Sequence, residues 1–251
     1  MSRRGQIIII VLLVISVVGV LLFGQYKDNK DAQKVLLDNQ KLLETSEIKD
    51  TSNGFIYDKI SKKQTVSILV LGDAQASSEG VAQGDKWTTK VKAWLNEKYG
   101  SLATINIVAV PTQNAQASLE GYKKLDVKSY DLVLICLGER DTAYTSLNGF
   151  KTSYEDLIKA IKANNAATDI MTMVEGSIRL NRSFPQAILD LSSQYNLLNV
   201  DVRAEFKKSN LPYYKLSTNG ILPSAEGYNI YALTVENSIK NAIESNRKIT
   251  P

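Results

Sequence analysis

From about residue 63 onward, short apolar runs alternate with longer segments whose apolar positions recur every three or four residues. TVSILVLG (65–72), ATINIVAV (103–110), DLVLICLG (131–138), TDIMTMVE (168–175) and LLNVDV (197–202) read as buried strands. Between them, 85–100, 116–125, 147–165, 183–196 and 224–245 carry helical periodicity. The third of these helices places Phe150, Tyr154, Leu157, Ile158 and Ile161 on one face, and the last carries Tyr228, Tyr231, Leu233, Val235 and Ile239. Gly100 closes the first helix as a C-cap, and Pro185 stands near the start of the fourth. Strand–helix alternation at this spacing predicts a three-layer α/β/α sandwich around a central parallel sheet with right-handed crossovers. Ligands in such folds sit outside the carboxyl ends of the strands, so the loops leaving Gly72, Val110 and Gly138 are the ones to inspect.

The N-terminal part has a different pattern. Residues 7–23, IIIIVLLVISVVGVLLF, are apolar without interruption, and Arg3 and Arg4 precede them. Seventeen helical residues span about 26 Å, enough for a short transmembrane helix, and the arginines place the N-terminus in the cytoplasm. A cleaved signal peptide would close on small residues, whereas this run ends Leu-Leu-Phe-Gly-Gln, which favours an uncleaved signal-anchor. The expected organisation is a cytoplasmic N-terminus (1–6), a transmembrane signal-anchor (7–24), a juxtamembrane stalk (25–62) and an extracytoplasmic domain (63–251). Val35, Leu36, Leu42 and Leu43 give the stalk a helical pattern, and Phe55-Ile56-Tyr57 reads as a short strand entering the domain.

Composition narrows the chemistry. The 251 residues include no histidine and one cysteine, Cys136. This removes Ser-His-Asp and Cys-His catalysis, imidazole ligands, internal disulfides and Cys-rich zinc sites. Thirty basic residues against 26 acidic ones leave a net charge of +4, with no basic block and no phosphate-binding glycine loop, so no nucleic-acid partner is expected. No cofactor or metal is expected either. Cys136, inside an apolar strand, reads as an inert buried thiol. Trp87 and Trp94 share a helix face and read as core, while Tyr213-Tyr214 after Pro212 is the candidate stacking patch.

Four segments on the predicted strand ends carry a resemblance: VLGDAQASSEG (70–80), INIVAVPTQNAQASLEG (105–121), LICLGERDTAY (134–144) and STNGILPSAEGYNIYA (217–232). In this order they resemble the four blocks of the SGNH (GDSL-type) hydrolase family, over roughly residues 64–246. The resemblance implies a flavodoxin-like SGNH fold. The family's first block supplies a serine nucleophile, and its last a histidine base with an aspartate three residues earlier. An oxyanion hole is completed by a second-block glycine and a third-block asparagine. At those positions this sequence has Ala74, Leu222, Asn219, Thr112 and Arg140, while Gly72, Asp73, Gly138, Asp141, Pro223, Gly227 and Tyr228 keep the framework.

A methyl group cannot attack an ester and leucine cannot take a proton, so the resemblance implies a pseudoenzyme with no intact catalytic set. Ser77 and Ser78 lie in the same loop, and an esterase or acyltransferase working through a displaced nucleophile is the alternative. Arg140 has two readings. It pairs with Glu139, Asp73 or Asp141 and plugs the site, or it joins Asp73, Gln75, Thr112 and Asn219 in holding an anionic or acylated glycan. Asp73 and Asp141 are expected to brace loops. The expected function is a membrane-anchored binding or scaffolding module at the cell envelope, with a cell-surface glycan or an envelope protein as candidate partner. The sequence does not specify an oligomeric state.

Overall fold

The structure is a computed structural model and describes residues 56–100, 102–109, 114–125, 130–164, 168–176 and 183–244. The expected anchor (7–24), the stalk up to residue 55 and Thr112 lie outside the described residues. Among the described residues, no helix is long and apolar enough to cross a membrane.

Helix α1 (Ile56–Ser61) leads into β1 (Val66–Gly72), α2 (Trp87–Tyr99), β2 (Ala103–Ala109) and α3 (Ala115–Lys124). Strand β3 (Leu132–Cys136) is followed by a helical turn, α4 (Asp141–Tyr144), then α5 (Leu147–Asn164), β4 (Asp169–Val174) and α6 (Ser183–Gln194). Strand β5 (Leu198–Asp201), α7 (Val202–Lys208), α8 (Tyr213–Leu216) and α9 (Ala225–Glu244) complete the chain. The five strands are all parallel, in the order β2-β1-β3-β4-β5. This is the doubly wound order whose ligand crevice lies between β1 and β3, where the chain reverses its direction of travel across the sheet.

Alternation along the strands builds one core on each face of the sheet. Ile68, Val70, Leu134, Cys136 and Met171 face the layer formed by α1, α2 and α9. Leu69, Leu71, Val133, Ile135 and Ile170 face α3, α5 and α6. Phe150, Tyr154, Leu157, Ile158 and Ile161 are all completely buried, as the periodicity of α5 predicts. Leu233 departs from expectation and is 48% exposed. Tyr228, Tyr231, Val235 and Ile239 define the buried stripe of α9, and residue 233 falls some 200° around the helix from 231.

The expected strand at 55–57 is instead the start of α1. Ile56 and Ile60, one helical turn apart, are both fully buried. Lys59 forms a buried ion pair with Asp131 at 2.5 Å, and the other Asp131 carboxylate oxygen accepts Ser67 N–H at 2.8 Å. Asp169 accepts Ile56 N–H at 2.9 Å. Asp131 and Asp169 stand at the amino ends of β3 and β4, so α1 is fastened to the base of the sheet.

Two helix ends show how local chemistry fixes the frame. Gly100 takes the left-handed conformation (φ 62°) and its N–H closes on Asn96 and Leu95 carbonyls. Asn114 caps α3 by accepting Ala117 N–H at 2.9 Å. Asn114→Ala is expected to cost about 1 kcal/mol, read as a lower urea midpoint with an unchanged slope.

Candidate functional site

The last rungs of the sheet bring the expected loops together. Gly72 is level with Ala109 on one side and Cys136 on the other, so the carboxyl ends of β1, β2 and β3 lie side by side. A cleft of about 200 Å³ opens there. Its walls include Asp73, Ala74, Gln75, Arg140, Asn219 and Leu222, which is every sequence-predicted site residue except the undescribed Thr112. Glu79, Glu139 and Ile221 complete the lining. A second hollow near Gly138, Phe184 and Arg203 has only about 20 Å³, room for a single water.

The loop after β1 is built around Gln75. Its backbone N–H donates to Asp73 Oδ1 at 2.9 Å, and its carbonyl accepts the Trp87 indole N–H at 3.1 Å. Its side-chain amide donates to the Ile221 carbonyl at 3.2 Å and accepts the Tyr231 hydroxyl. Tyr231 in turn accepts Gly176 N–H at 2.7 Å. Gln75 therefore stitches three segments together, and its side-chain oxygen is spent on Tyr231 rather than offered to a ligand. Trp87 is core, as expected, but its indole nitrogen is also the post that holds this loop.

Neither serine of the loop faces the cleft. Ser77 Oγ donates to the Ala74 carbonyl at 3.0 Å, and the buried Ser78 Oγ accepts Trp87 N–H at 3.3 Å. Ala74 presents only a methyl group where the resemblance puts the nucleophile. On the opposite wall, Asn219 Oδ1 accepts the N–H groups of Ile221 and Leu222 at 3.0 and 2.7 Å, which shapes the turn. Among the described residues, no Ser, Thr, Cys, Lys or His lines the cleft.

Among the described residues, no ion pair joins Arg140 to Asp73 or Asp141, the first of its two readings. Asp73 and Asp141 are occupied by backbone donors, the latter accepting Ala115 N–H at 3.1 and 3.2 Å. Both aspartates brace loops, as the sequence suggests. The Arg140 guanidinium instead stacks over the Tyr144 ring, 4.3 Å from its centre. Its Nε is buried and makes no hydrogen bond among the described residues. The cleft is open, walled by Arg140 and Leu222 rather than filled by them.

A partner that sequence reasoning missed is Glu175, the residue after β4. Glu175 and Asp73 are 6% and 2% exposed and share a hydrogen bond between their carboxyl groups, which requires a proton between them. Burial raises Asp73 to about 7 despite the hydrogen bond from Gln75. Burial and the neighbouring Asp73 push Glu175 well up. Glu175 also accepts Glu139 N–H at 2.7 Å and lies 3.4 Å from the Cys136 thiol. Burial, with Glu175 and Asp73 nearby, drives that thiol well above its ordinary value, so it is no thiolate nucleophile. The one sequence signal was an acidic residue closing an otherwise apolar strand. Of the tyrosine pair after Pro212, Tyr214 is exposed, while Tyr213 is half-buried against Phe206 and donates to the Gly176 carbonyl.

No protein-family model matches the chain, and no curated protein matches it in sequence. Solved structures match at the level of the fold. A two-domain esterase active on acetylated mannans superposes with a TM-score of 0.65 at 13% identity, covering 78% of this chain and 53% of that one. This chain thus spans about half the length of that esterase. A psychrotrophic esterase from Pseudoalteromonas sp. gives 0.57 at 18% identity, over 71% of this chain and 98% of its own. A catalytic mutant of an acetylxylan esterase from Geobacillus stearothermophilus gives 0.57 at 18%, over 69% and 94%. The described domain has the fold of the SGNH/GDSL esterases.

Proposed function

We propose that this chain is a non-catalytic SGNH-like module, held at the outer face of a membrane by residues 7–24, that binds an acylated cell-surface polysaccharide without cleaving it. The supporting observation is the open cleft at the β1/β3 switch point, with a methyl group at Ala74 and, among the described residues, no Ser, Thr, Cys, Lys or His in its lining. Among the described lining residues, the carboxylates of Glu79 and Glu139 stand against the guanidinium of Arg140, a balance that disfavours a polyanion. Carboxylates accept from sugar hydroxyls, and the guanidinium and the Asn219 amide donate to an acyl carbonyl. Neutral O-acylated glycans fit this lining better than anionic ones. Acylated polysaccharides are also the substrates of two of the structural neighbours.

Full-length chain in detergent, tested on acetylated mannan and acetylxylan, is expected to bind at least one polymer and to release no acetate. Arg140→Ala is expected to weaken binding at least tenfold, the effect of losing a charge-assisted hydrogen bond. Ala74→Ser is expected to leave aryl acetate hydrolysis at the buffer rate, because the chain has no histidine to activate the new hydroxyl. Turnover by the unmodified chain that a serine-trapping phosphonate abolishes would overturn the proposal.

A further inference from the structure

The cleft is too small for a polymer. Pockets that enclose a whole drug-sized ligand run to about 300–1,000 Å³, whereas this one has about 200 Å³. It takes one acyl-bearing unit and leaves the rest of a glycan chain outside. Stacked on Arg140, one of the cleft's wall residues, is Tyr144, with 63% of its surface exposed.

The placement of Tyr144 is rigid even though its ring is in solvent. It ends α4, which Asp141 ties to the start of α3 through Ala115 N–H. Thr142 Oγ1 donates to the Glu139 carbonyl at 2.7 Å, and Thr145 N–H to the Asp141 carbonyl at 3.0 Å. Arg140, itself part of the cleft wall, covers one face of the ring. The exposed area is therefore carried by the ring's edge and its other face. A large aromatic surface, fixed in orientation and left in water against a wall residue of an undersized cleft, has the properties of a stacking platform.

We infer that Tyr144 forms a second subsite outside the cleft, stacking on the pyranose ring next to the unit whose acyl group Arg140 receives. The inference rests on the glycan-binding reading above and adds to it the contact that selects a polymer over a single sugar. Arg140 links the two subsites, since the guanidinium that donates into the cleft also sets the plane of the tyrosine. The ring face, not the hydroxyl, makes the contact.

The test compares acetylated mannan with an O-acetylated methyl mannoside, each titrated against the full-length chain in detergent. Tyr144→Ala is expected to weaken polymer binding about tenfold, to leave the monosaccharide within about twofold, and to keep the unmodified melting temperature. Tyr144→Phe is expected to bind both ligands as the unmodified chain does. Unchanged polymer binding in Tyr144→Ala would overturn the subsite and leave the cleft reading standing. An equal loss for polymer and monosaccharide would also overturn it, because the tyrosine would then act only by positioning Arg140. Failure of the unmodified chain to bind either ligand would overturn the cleft reading and the subsite together.

Discussion

Gly72→Ala is expected to leave little or no folded protein. A Cβ at this position would stand 2.3 Å from the Cys136 carbonyl oxygen and 2.4 Å from the Ala76 methyl. The first of these is backbone, and it cannot retreat. Cys136 is paired with Gly72 on one side and with Met173 on the other, so moving it breaks the ladder between β3 and β4. Asp73 N–H also points at that same carbonyl. Ordinary overpacking in a core costs about 1–3 kcal/mol. A clash against fixed backbone at the centre of the sheet should exceed that range and take a large share of the roughly 5–15 kcal/mol that holds a domain together. Gly84→Ala is the control, because its added methyl meets nothing within 4 Å, and it should change stability by less than about 0.5 kcal/mol. Soluble yield and the urea midpoint of the two variants check this, and a normal midpoint for Gly72→Ala would refute it.

Raising the pH from about 4 to 8 is expected to destabilise the protein, and Asp73→Asn is expected to remove a large part of that loss. The folded chain keeps Asp73 protonated up to about 7, whereas the unfolded chain releases the proton near 3.8. Between those values the folded state binds more protons than the unfolded state, so stability falls as pH rises through the window and levels off above it. Glu175, also raised by burial, acts in the same direction, and the two titrate as a pair. Glu139 adds a charge repulsion that raises Asp73 further. Asp141 and Asp169, raised by burial to about 6 and about 7, contribute the same sign and persist in the variant. The quantity to read is therefore the difference between the two proteins. An asparagine keeps the acceptor for Gln75 N–H and offers Glu175 a donor in place of the shared proton. Urea midpoints at pH 4.5, 6 and 8 should converge toward a flatter profile in Asp73→Asn, and parallel profiles would contradict the assignment.

The five strands and five long helices were legible because each strand is an apolar run bounded by turn residues and each helix shows one apolar stripe. Their bounds agree with the structure to within two residues. What escaped was whatever depends on contacts distant in sequence. Phe55-Ile56-Tyr57 has strand composition, and only the burial of Ile56 with Ile60 and the reach of Lys59 to Asp131, 72 residues on, select a helix. Glu175 lies 102 positions from Asp73, and no local pattern announces their shared proton. The positions carrying the family resemblance were readable from four motifs, and their convergence on one cleft follows from the sheet order. The internal use of Gln75 was not readable, because Trp87, Ile221 and Tyr231 reach it from three other segments. The Arg140–Tyr144 stack sits at a spacing of four residues, the one clue that a helical turn would bring them together.

The fastening of α1 also decides how the domain carries mechanical load. Tension along the chain preceding Ile56 reaches the sheet through the Lys59–Asp131 pair and the Ile56–Asp169 hydrogen bond, at the amino ends of β3 and β4. The cleft lies at the other end of the strands, roughly 20 Å away for a strand of seven residues. A pull from that side strains α1 and the base of the sheet first. The loops that form the cleft lie off the line of force, so their geometry is the last part of the domain that such a pull distorts.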